Sequence, residues 1–150
     1  SLLAGIAEGL DRNGLSHMPI VAVETEGAAC LAAALTSGAN RPLAKITSVA
    51  TSLGANMVCP RAFELARTRD VRSVVVSDTE ALEACELFLL HHRVLVEPAC
   101  GAALAVLYES RRRTSLGEMR APLVVVCGGV TATLDMIRAW KASAGANASS

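Results

Sequence analysis

The 150 residues are enough for one domain, and a chain that is 52% hydrophobic and 19% charged is globular rather than disordered. The 14 basic residues balance the 14 acidic ones, so there is no electrostatic footprint for nucleic acid or an anionic surface. The longest apolar stretches, around residues 28–35 and 123–127, are well short of the roughly 18 residues of a membrane span. We therefore expect neither a nucleic-acid nor a membrane partner.

Lysine and cysteine usage restrict the chemistry further. Only two of the basic residues are lysines, Lys45 and Lys141, so reactions that need a lysine amine have few candidates. The five cysteines are widely spaced, with no CxxC pair and no zinc-site spacing. Free thiols in apolar surroundings suit a reducing compartment, and we expect a cytoplasmic protein.

Short apolar runs alternate with helical patterns, which is typical of βα units that build a parallel sheet. Helices are predicted, in chain order, at residues 2–10, 27–37 (ended by Gly38), 48–54, 61–69 (behind Pro60), 77–91, 99–113 and 130–140. Strands are predicted at residues 19–23, 74–76 and 123–127, with a further apolar run at 94–96. Ser77 and Glu80 have the spacing of a capping box, which predicts a helix start there.

Ligands of open α/β sheets bind beyond the carboxyl ends of the strands, and three segments qualify. Residues 24–27 carry carboxylates and carbonyls that could hold a cation, or they form a solvated turn with Glu26 near a helix N-terminus. Residues 97–101 include small side chains that would let a ligand approach the backbone closely, or they simply start a helix at Pro98. Residues 127–129 place a thiol and two glycines in the ligand crevice, or they are a tight turn around a small buried residue.

Other motifs are missing or have plain explanations. The Gly128-Gly129 pair lacks the spacing of a dinucleotide fingerprint. The sequence has no G-x-S-x-G elbow and no Ser/His/Asp order, which counts against a self-contained hydrolase. His91 and His92 fit a helix C-terminus, where cations are favoured.

Five segments taken together carry a specific resemblance, which includes the strings Glu-Pro-Ala-Cys-Gly-Ala-Ala and Val-Cys-Gly-Gly; they are residues 24–28, 45–50, 53–55, 94–105 and 124–129. In this order and spacing they resemble the serine dehydratase/threonine deaminase family of fold type II pyridoxal-phosphate enzymes, most closely the animal-type and serine dehydratase-like members. The resemblance runs from Leu2 to about Lys141 and covers only the family's C-terminal half. It implies an open twisted, mostly parallel sheet with flanking helices, the C-terminal part of the large domain, over residues 1–143, followed by a flexible tail at 144–150.

The resemblance also implies roles for individual residues. Cys127, next to Gly128, matches the strand-end residue that hydrogen-bonds the cofactor's pyridine nitrogen. Ser52 and Gly54 would lie near cofactor and substrate, although the family often has Ala where Ser52 stands. Ser1 and Leu2 would lie where a phosphate-binding glycine loop ends. A monovalent cation, expected to be potassium, would be held by the Glu24 side chain and by the carbonyls of Ala28, Leu53 and Ala55.

The implied reaction is α,β-elimination from L-serine or L-threonine, which gives pyruvate or 2-oxobutyrate and ammonia. The resemblance also implies that the enzyme is a homodimer. The family's Schiff-base lysine lies upstream, and neither lysine here matches it, so we assign no catalytic residue to this chain and expect it to be inactive alone. The start at Ser1, without Met, suggests a start inside a longer protein. Alternatives are a sibling reaction (threonine synthase, racemase or cysteine synthase) and a truncated, non-catalytic form that binds or pairs with full-length subunits.

Overall fold

The computed structural model describes residues 2–109, 116–117, 119 and 121–147. Along these residues the elements are α1 (Leu2–Arg12), β1 (Ile20–Thr25), α2 (Cys30–Ser37), a 3-10 helix (Thr51–Leu53), α3 (Pro60–Thr68), β2 (Val71–Val76), α4 (Asp78–His92), α5 (Pro98–Tyr108) and α6 (Leu134–Asn147). None of the helices in this described part is long and apolar enough to cross a membrane.

The sheet in the described residues consists of β1 and β2, which pair in parallel from Ile20 opposite Val71 to Thr25 opposite Val76. Both strands are rich in β-branched residues, which pack well on a pleated surface. Because the strands are parallel, their carboxyl ends lie at one edge of the sheet, and the segments after Thr25 and Val76 start from that edge. This edge positions the candidate site.

Local sequence signals set several helix ends as predicted. Gly38 ends α2 in the left-handed conformation, with φ of 69°. Pro60 and Pro98 occupy the first turns of α3 and α5. The capping box before α4 is formed, since the Ser77 hydroxyl accepts a hydrogen bond from the Glu80 amide and the Glu80 carboxylate accepts one from the Ser77 amide.

Two apolar clusters form the core of the described part of the chain. The larger lies where α4, α5 and α6 meet the sheet and contains the fully buried Leu82, Val96 and Ile137. The smaller lies beneath α2 and α3 and includes Leu31 and Val58. Burying each of these large side chains stabilises the fold by about 1.5–3 kcal/mol, so both clusters contribute substantially.

The prediction of a strand at residues 123–127 was wrong for the part of the chain described, as was the strand-like reading of 94–96. Neither segment has ladder pairing in the described residues, and a backbone hydrogen bond joins the residues that follow them, from the Glu97 amide to the Gly128 carbonyl (3.0 Å). Leu123 remains 92% exposed. Apolar runs of this kind become strands only when a neighbouring strand takes up their amides and carbonyls, and the described residues provide none.

Three predicted helices are shorter in the structure than expected. The helix expected at 27–37 begins only at Cys30, because Gly27 has a φ of 80° and cannot be helical. The helix expected at 48–54 shortens to Thr51–Leu53. The helix predicted to reach about Arg113 ends at Tyr108, since Glu109 is extended; Arg113 itself lies outside the described residues.

The closing helix continues further than expected. α6 reaches Asn147, so residues 144–147 of the predicted tail are helical. The alanines in this stretch are strong helix formers, and they outweigh the single glycine. Residues 148–150 lie outside the described part, and the division into a domain and a flexible tail stays a prediction.

Candidate functional site

The carboxyl end of β1 places Glu24 against the start of α2. The two oxygens of its carboxylate accept hydrogen bonds from the amides of Leu31 and Ala32, each at 2.8 Å, and Glu24 itself is only 9% exposed. A carboxylate at a helix N-terminus satisfies amides that lack an intrahelical partner and interacts favourably with the helix dipole. Glu24 therefore caps α2, whereas the sequence had suggested Glu26 for this place, and Glu26 is exposed.

The negative charge of Glu24 also acts on the buried thiol of Cys30. Burial, followed by the nearby Glu24 carboxylate, raises the pKa of Cys30 from its ordinary value of 9.0 to about 11. Cys30 is therefore a protonated, inert thiol at neutral pH.

The turn after β1 interlocks with the loop of residues 44–50. The Thr47 amide donates to the Gly27 carbonyl (3.0 Å). A Cβ on Gly27 would lie 2.1 Å from the Thr47 hydroxyl oxygen, so this approach requires glycine. Next to this contact, the buried hydroxyl oxygens of Thr25 and Ser48 are 2.7 Å apart. The predicted cation ligands of the first segment thus lie beside the loop that leads to those of the second.

A carboxylate from a third element completes this contact. Asp78, the first residue of α4, accepts a hydrogen bond from the Ser48 hydroxyl (2.5 Å) and another from the Val49 amide (3.0 Å). Thr25, Ser48 and Asp78 together are called the Ser48 network below. It joins the end of β1, the loop and the start of α4.

The 3-10 helix that follows carries the other predicted residues. Gly54 donates from its amide to the Thr51 carbonyl (2.9 Å), and a Cβ on Gly54 would lie 2.7 Å from that carbonyl oxygen, so the turn fits glycine. The Leu53 carbonyl accepts from the Ala55 amide (2.7 Å) and keeps a second lone pair. Ser52 is exposed.

The donor set limits which ions this region could hold. Within the described residues no group of three or more His, Cys, Asp or Glu side chains has metal-site geometry. A cation here would depend on one carboxylate and backbone carbonyls. Oxygen ligands of this kind suit a hard cation rather than zinc or iron.

The thiol of Cys127 lies at a second point, beside the start of α5. The Cys127 amide donates to the Cys100 sulfur (3.3 Å), and the Cys100 thiol donates to the Gly128 carbonyl (3.4 Å). Cys100 is buried, whereas Cys127 is exposed. The segment around Cys127 is therefore held by α5 while its own side chain stays accessible.

The surroundings of Cys127 fit the pyridine ring that the resemblance implies. Gly128 has a φ of 154°, and a Cβ there would meet no heavy atom within 4 Å, so the backbone beside the thiol is open to a flat ligand. A neutral thiol can hydrogen-bond a ring nitrogen without transferring a full charge. The chemistry of the residues present thus agrees with the cofactor.

The two lysines lie elsewhere. The Lys141 amine, on α6, forms an ion pair with Glu86 of α4 at 2.5 Å. Lys45 is exposed on the loop that faces α2. Ser1 lies outside the described residues, and Leu2 is the exposed first residue of α1, which packs on α3. The assignments of Ser1 and Leu2 stay predictions.

Sequence reasoning missed two features of the site. The sequence predicts Cys100 as a small residue at a helix start, but its thiol accepts a hydrogen bond from the Cys127 amide and donates one to the Gly128 carbonyl. The sequence predicts Ser48 only as the start of a helix, and no motif points to Asp78. Their contacts join residues far apart in the sequence, and no spacing rule could have found them.

Comparison with known proteins gives a consistent result. A family model described as "Pyridoxal-phosphate dependent enzyme" matches residues 1–128. The human protein named "Serine dehydratase-like" is 45% identical over 150 residues, which cover 96% of this chain and 46% of that protein. The human "L-serine dehydratase/L-threonine deaminase" is 42% identical with the same coverage. The chain thus spans about half the length of these curated relatives.

A solved structure agrees as well. The crystal structure of a fungal L-serine ammonia-lyase from Rhizomucor miehei matches with a TM-score of 0.84 and 30% identity, over 92% of this chain and 45% of that one. The fold and the family resemblance predicted from sequence are confirmed. The chain belongs to the family of pyridoxal-phosphate-dependent enzymes.

Proposed function

We propose that the chain is part of a pyridoxal-phosphate-dependent L-serine/L-threonine dehydratase, which forms pyruvate or 2-oxobutyrate and ammonia by α,β-elimination. The names of the relatives support this assignment. The observation that carries it is the exposed Cys127 thiol, held by the start of α5 beside the open backbone of Gly128. Cytoplasmic location and a homodimer belong to the same proposal.

Cys127 orients the cofactor in this proposal. When bound, pyridoxal phosphate supplies an electron sink for the α-carbon of the amino acid. The Cys127 thiol hydrogen-bonds the ring nitrogen but cannot protonate it fully as a carboxylic acid would. A thiol at this position, in place of a carboxylic acid, would therefore suit elimination of the β-hydroxyl. Cys100 keeps the thiol in place through the adjoining backbone.

The second part of the proposal is a monovalent cation, potassium, bound by Glu24 and the carbonyls of Ala28, Leu53 and Ala55. The hydrogen bond from the Thr47 amide to the Gly27 carbonyl supports it, because it holds the loop that leads to Leu53 and Ala55 against the turn that contains Ala28. Such an ion would stiffen the loop that presents Ser52 and Gly54 to the amino-acid substrate. Glu24 would then serve the cation and the N-terminus of α2 together.

The lysine that carries the cofactor is assigned to sequence upstream of Ser1. Lys141 forms an ion pair with Glu86, and Lys45 is exposed on the loop that faces α2, so neither lies in the desolvated setting that such an amine needs. The chain by itself is therefore proposed to be inactive.

The test is keto-acid formation by the full-length protein with L-serine and L-threonine. Cys127→Ala should weaken cofactor binding about fivefold or more, the equivalent of one hydrogen bond, and lower turnover, whereas Cys127→Ser keeps a donor and retains more of both. Cys59→Ala, at the start of α3, controls for the loss of a thiol. Unchanged affinity and turnover in Cys127→Ala would remove its assigned role.

The same assay separates the alternatives. Racemised serine or a β-substituted product without keto acid would favour a sibling reaction. An initiator Met directly before Ser1 in the transcript would favour the truncated, non-catalytic form that pairs with other subunits.

A further inference from the structure

The Ser48 network has a fixed direction of hydrogen bonding. A hydroxyl group has one proton, and Ser48 gives it to the Asp78 carboxylate at 2.5 Å. The Thr25 hydroxyl, 2.7 Å away, must therefore donate to Ser48, and the Ala50 amide donates to the same oxygen at 3.0 Å. The Ser48 hydroxyl thus donates one hydrogen bond and accepts two, which is its full capacity. The Asp78 carboxylate is the final acceptor in this chain of hydrogen bonds.

The carboxylate of Asp78 is used for this loop and not for its own helix. The capping box of Ser77 and Glu80 already serves the N-terminus of α4. Asp78 directs both oxygens to residues 48 and 49 instead, at 2.5 and 3.0 Å. Its position in the first turn of α4 also stabilises its negative charge through the helix dipole.

The network links the two chain segments that carry the halves of the proposed cation site. Thr25 is fully buried between Glu24 and the turn that contains Ala28. On the other side, Val49 and Ala50 lead directly into the 3-10 helix with Leu53, and the Leu53 amide donates to the Ala50 carbonyl (2.9 Å). A displacement of Ser48 would therefore change the separation of the two ligand segments.

We propose that Asp78 is a positioning residue: through Ser48 and Thr25 it fixes the loop of residues 46–55 against the carboxyl end of β1, and so sets the spacing of the cation ligands and of Ser52. The part that concerns the cation rests on the proposed function. The positioning of the loop does not.

Two substitutions at neighbouring positions separate this role from general stability. Asp78→Ala removes both loop contacts and leaves the capping box intact. Ser77→Ala is the matched control, because it removes the cap of the same helix, at a cost of about 1 kcal/mol, and touches no loop residue. Asp78→Asn keeps one acceptor oxygen and should behave between Asp78→Ala and the wild type.

The first measurement is amide hydrogen exchange in the full-length protein. Asp78→Ala should speed exchange in peptides covering residues 46–55 at least tenfold, as expected for losing charge-assisted hydrogen bonds. Ser77→Ala should leave these peptides unchanged and speed exchange only in the first turn of α4. Equal loop protection in Asp78→Ala and wild type would overturn the proposal.

The second measurement is the potassium concentration that gives half-maximal thermal stabilisation, at constant ionic strength maintained with tetramethylammonium. Asp78→Ala should need about tenfold more potassium than the wild type, while Ser77→Ala should need the same concentration. If potassium fails to stabilise the wild type, the cation site is wrong, and hydrogen exchange alone decides the role of Asp78. If Asp78→Ala loosens the loop without a change in potassium response, the link to the cation is overturned.

Discussion

Substitution of Gly101 by alanine tests how closely α4 and α5 pack. A Cβ on Gly101 would lie 2.1 Å from the Ala81 carbonyl oxygen and 2.5 Å from the Cys85 sulfur. Ordinary carbon contacts begin near 3.4 Å, so the two helices would have to separate by more than 1 Å. Ala81 and Cys85 are fully buried, and the nearest atom belongs to the backbone, so no side-chain rotation relieves the clash.

The magnitude follows from two opposed effects. Alanine in place of glycine favours a helix by about 0.5–1 kcal/mol. Overpacking a rigid core costs about 1–3 kcal/mol or more, and backbone contact puts this site at the upper end. The net expectation for Gly101→Ala is a loss of about 2 kcal/mol, or a melting temperature lower by roughly 4–8 °C for a domain of this size.

Denaturant and thermal unfolding followed by circular dichroism measure this difference. Gly5→Ala is the matched control, because Gly5 lies in α1 and its Cβ would meet no heavy atom within 4 Å. It should stabilise the protein by up to about 1 kcal/mol. A Gly101→Ala protein as stable as Gly5→Ala would refute the reasoning about this contact.

Three further predictions concern stability at other sites. Glu24→Gln should lower the free energy of unfolding by about 1–2 kcal/mol in potassium-free buffer, because it weakens two hydrogen bonds to the start of α2; an effect seen only with potassium present would contradict the capping role. Burial, with Cys100 adding, raises the pKa of Cys85 from 9.0 to about 12, so the unfolded thiol ionises first and stability falls as pH rises through 9 towards 12. Between pH 8 and 10 this costs about 1 kcal/mol, and Cys85→Ala should show a correspondingly flatter pH profile in denaturant titrations; parallel profiles would refute it. Ser77→Ala should cost about 1 kcal/mol by loss of its cap, measured by the same unfolding, and a neutral result would mean that the capping box adds nothing.

Local features of the fold followed from the sequence because their causes are local. The stop at Gly38, the proline at the start of α3 and the capping box at Ser77 each depend on a few adjacent residues. The strand expected at 123–127 was wrong for the opposite reason. An apolar run shows that a segment is suited to a sheet, but pairing depends on a neighbour that the run does not encode.

The candidate site divides in the same way. The motif singled out Cys127 and Gly128, but their contact with Cys100 at the start of α5 was not predicted, because it depends on how two distant segments pack. The capping of α2 by Glu24 was not predicted either, because Glu24 and Leu31 are seven positions apart and the chain between them includes a turn whose shape decides the contact. Asp78 and Ser48, thirty residues apart, meet only once β1, the loop and α4 are assembled.

The central claim is that this chain supplies the ring-nitrogen partner of pyridoxal phosphate while the lysine that binds the cofactor lies elsewhere. Borohydride reduction of the full-length, cofactor-loaded protein, followed by peptide mapping, tests it most directly. We predict a pyridoxyl-lysine upstream of Ser1 and unmodified Lys45 and Lys141. Stoichiometric pyridoxyl modification of either of these two lysines would contradict the account.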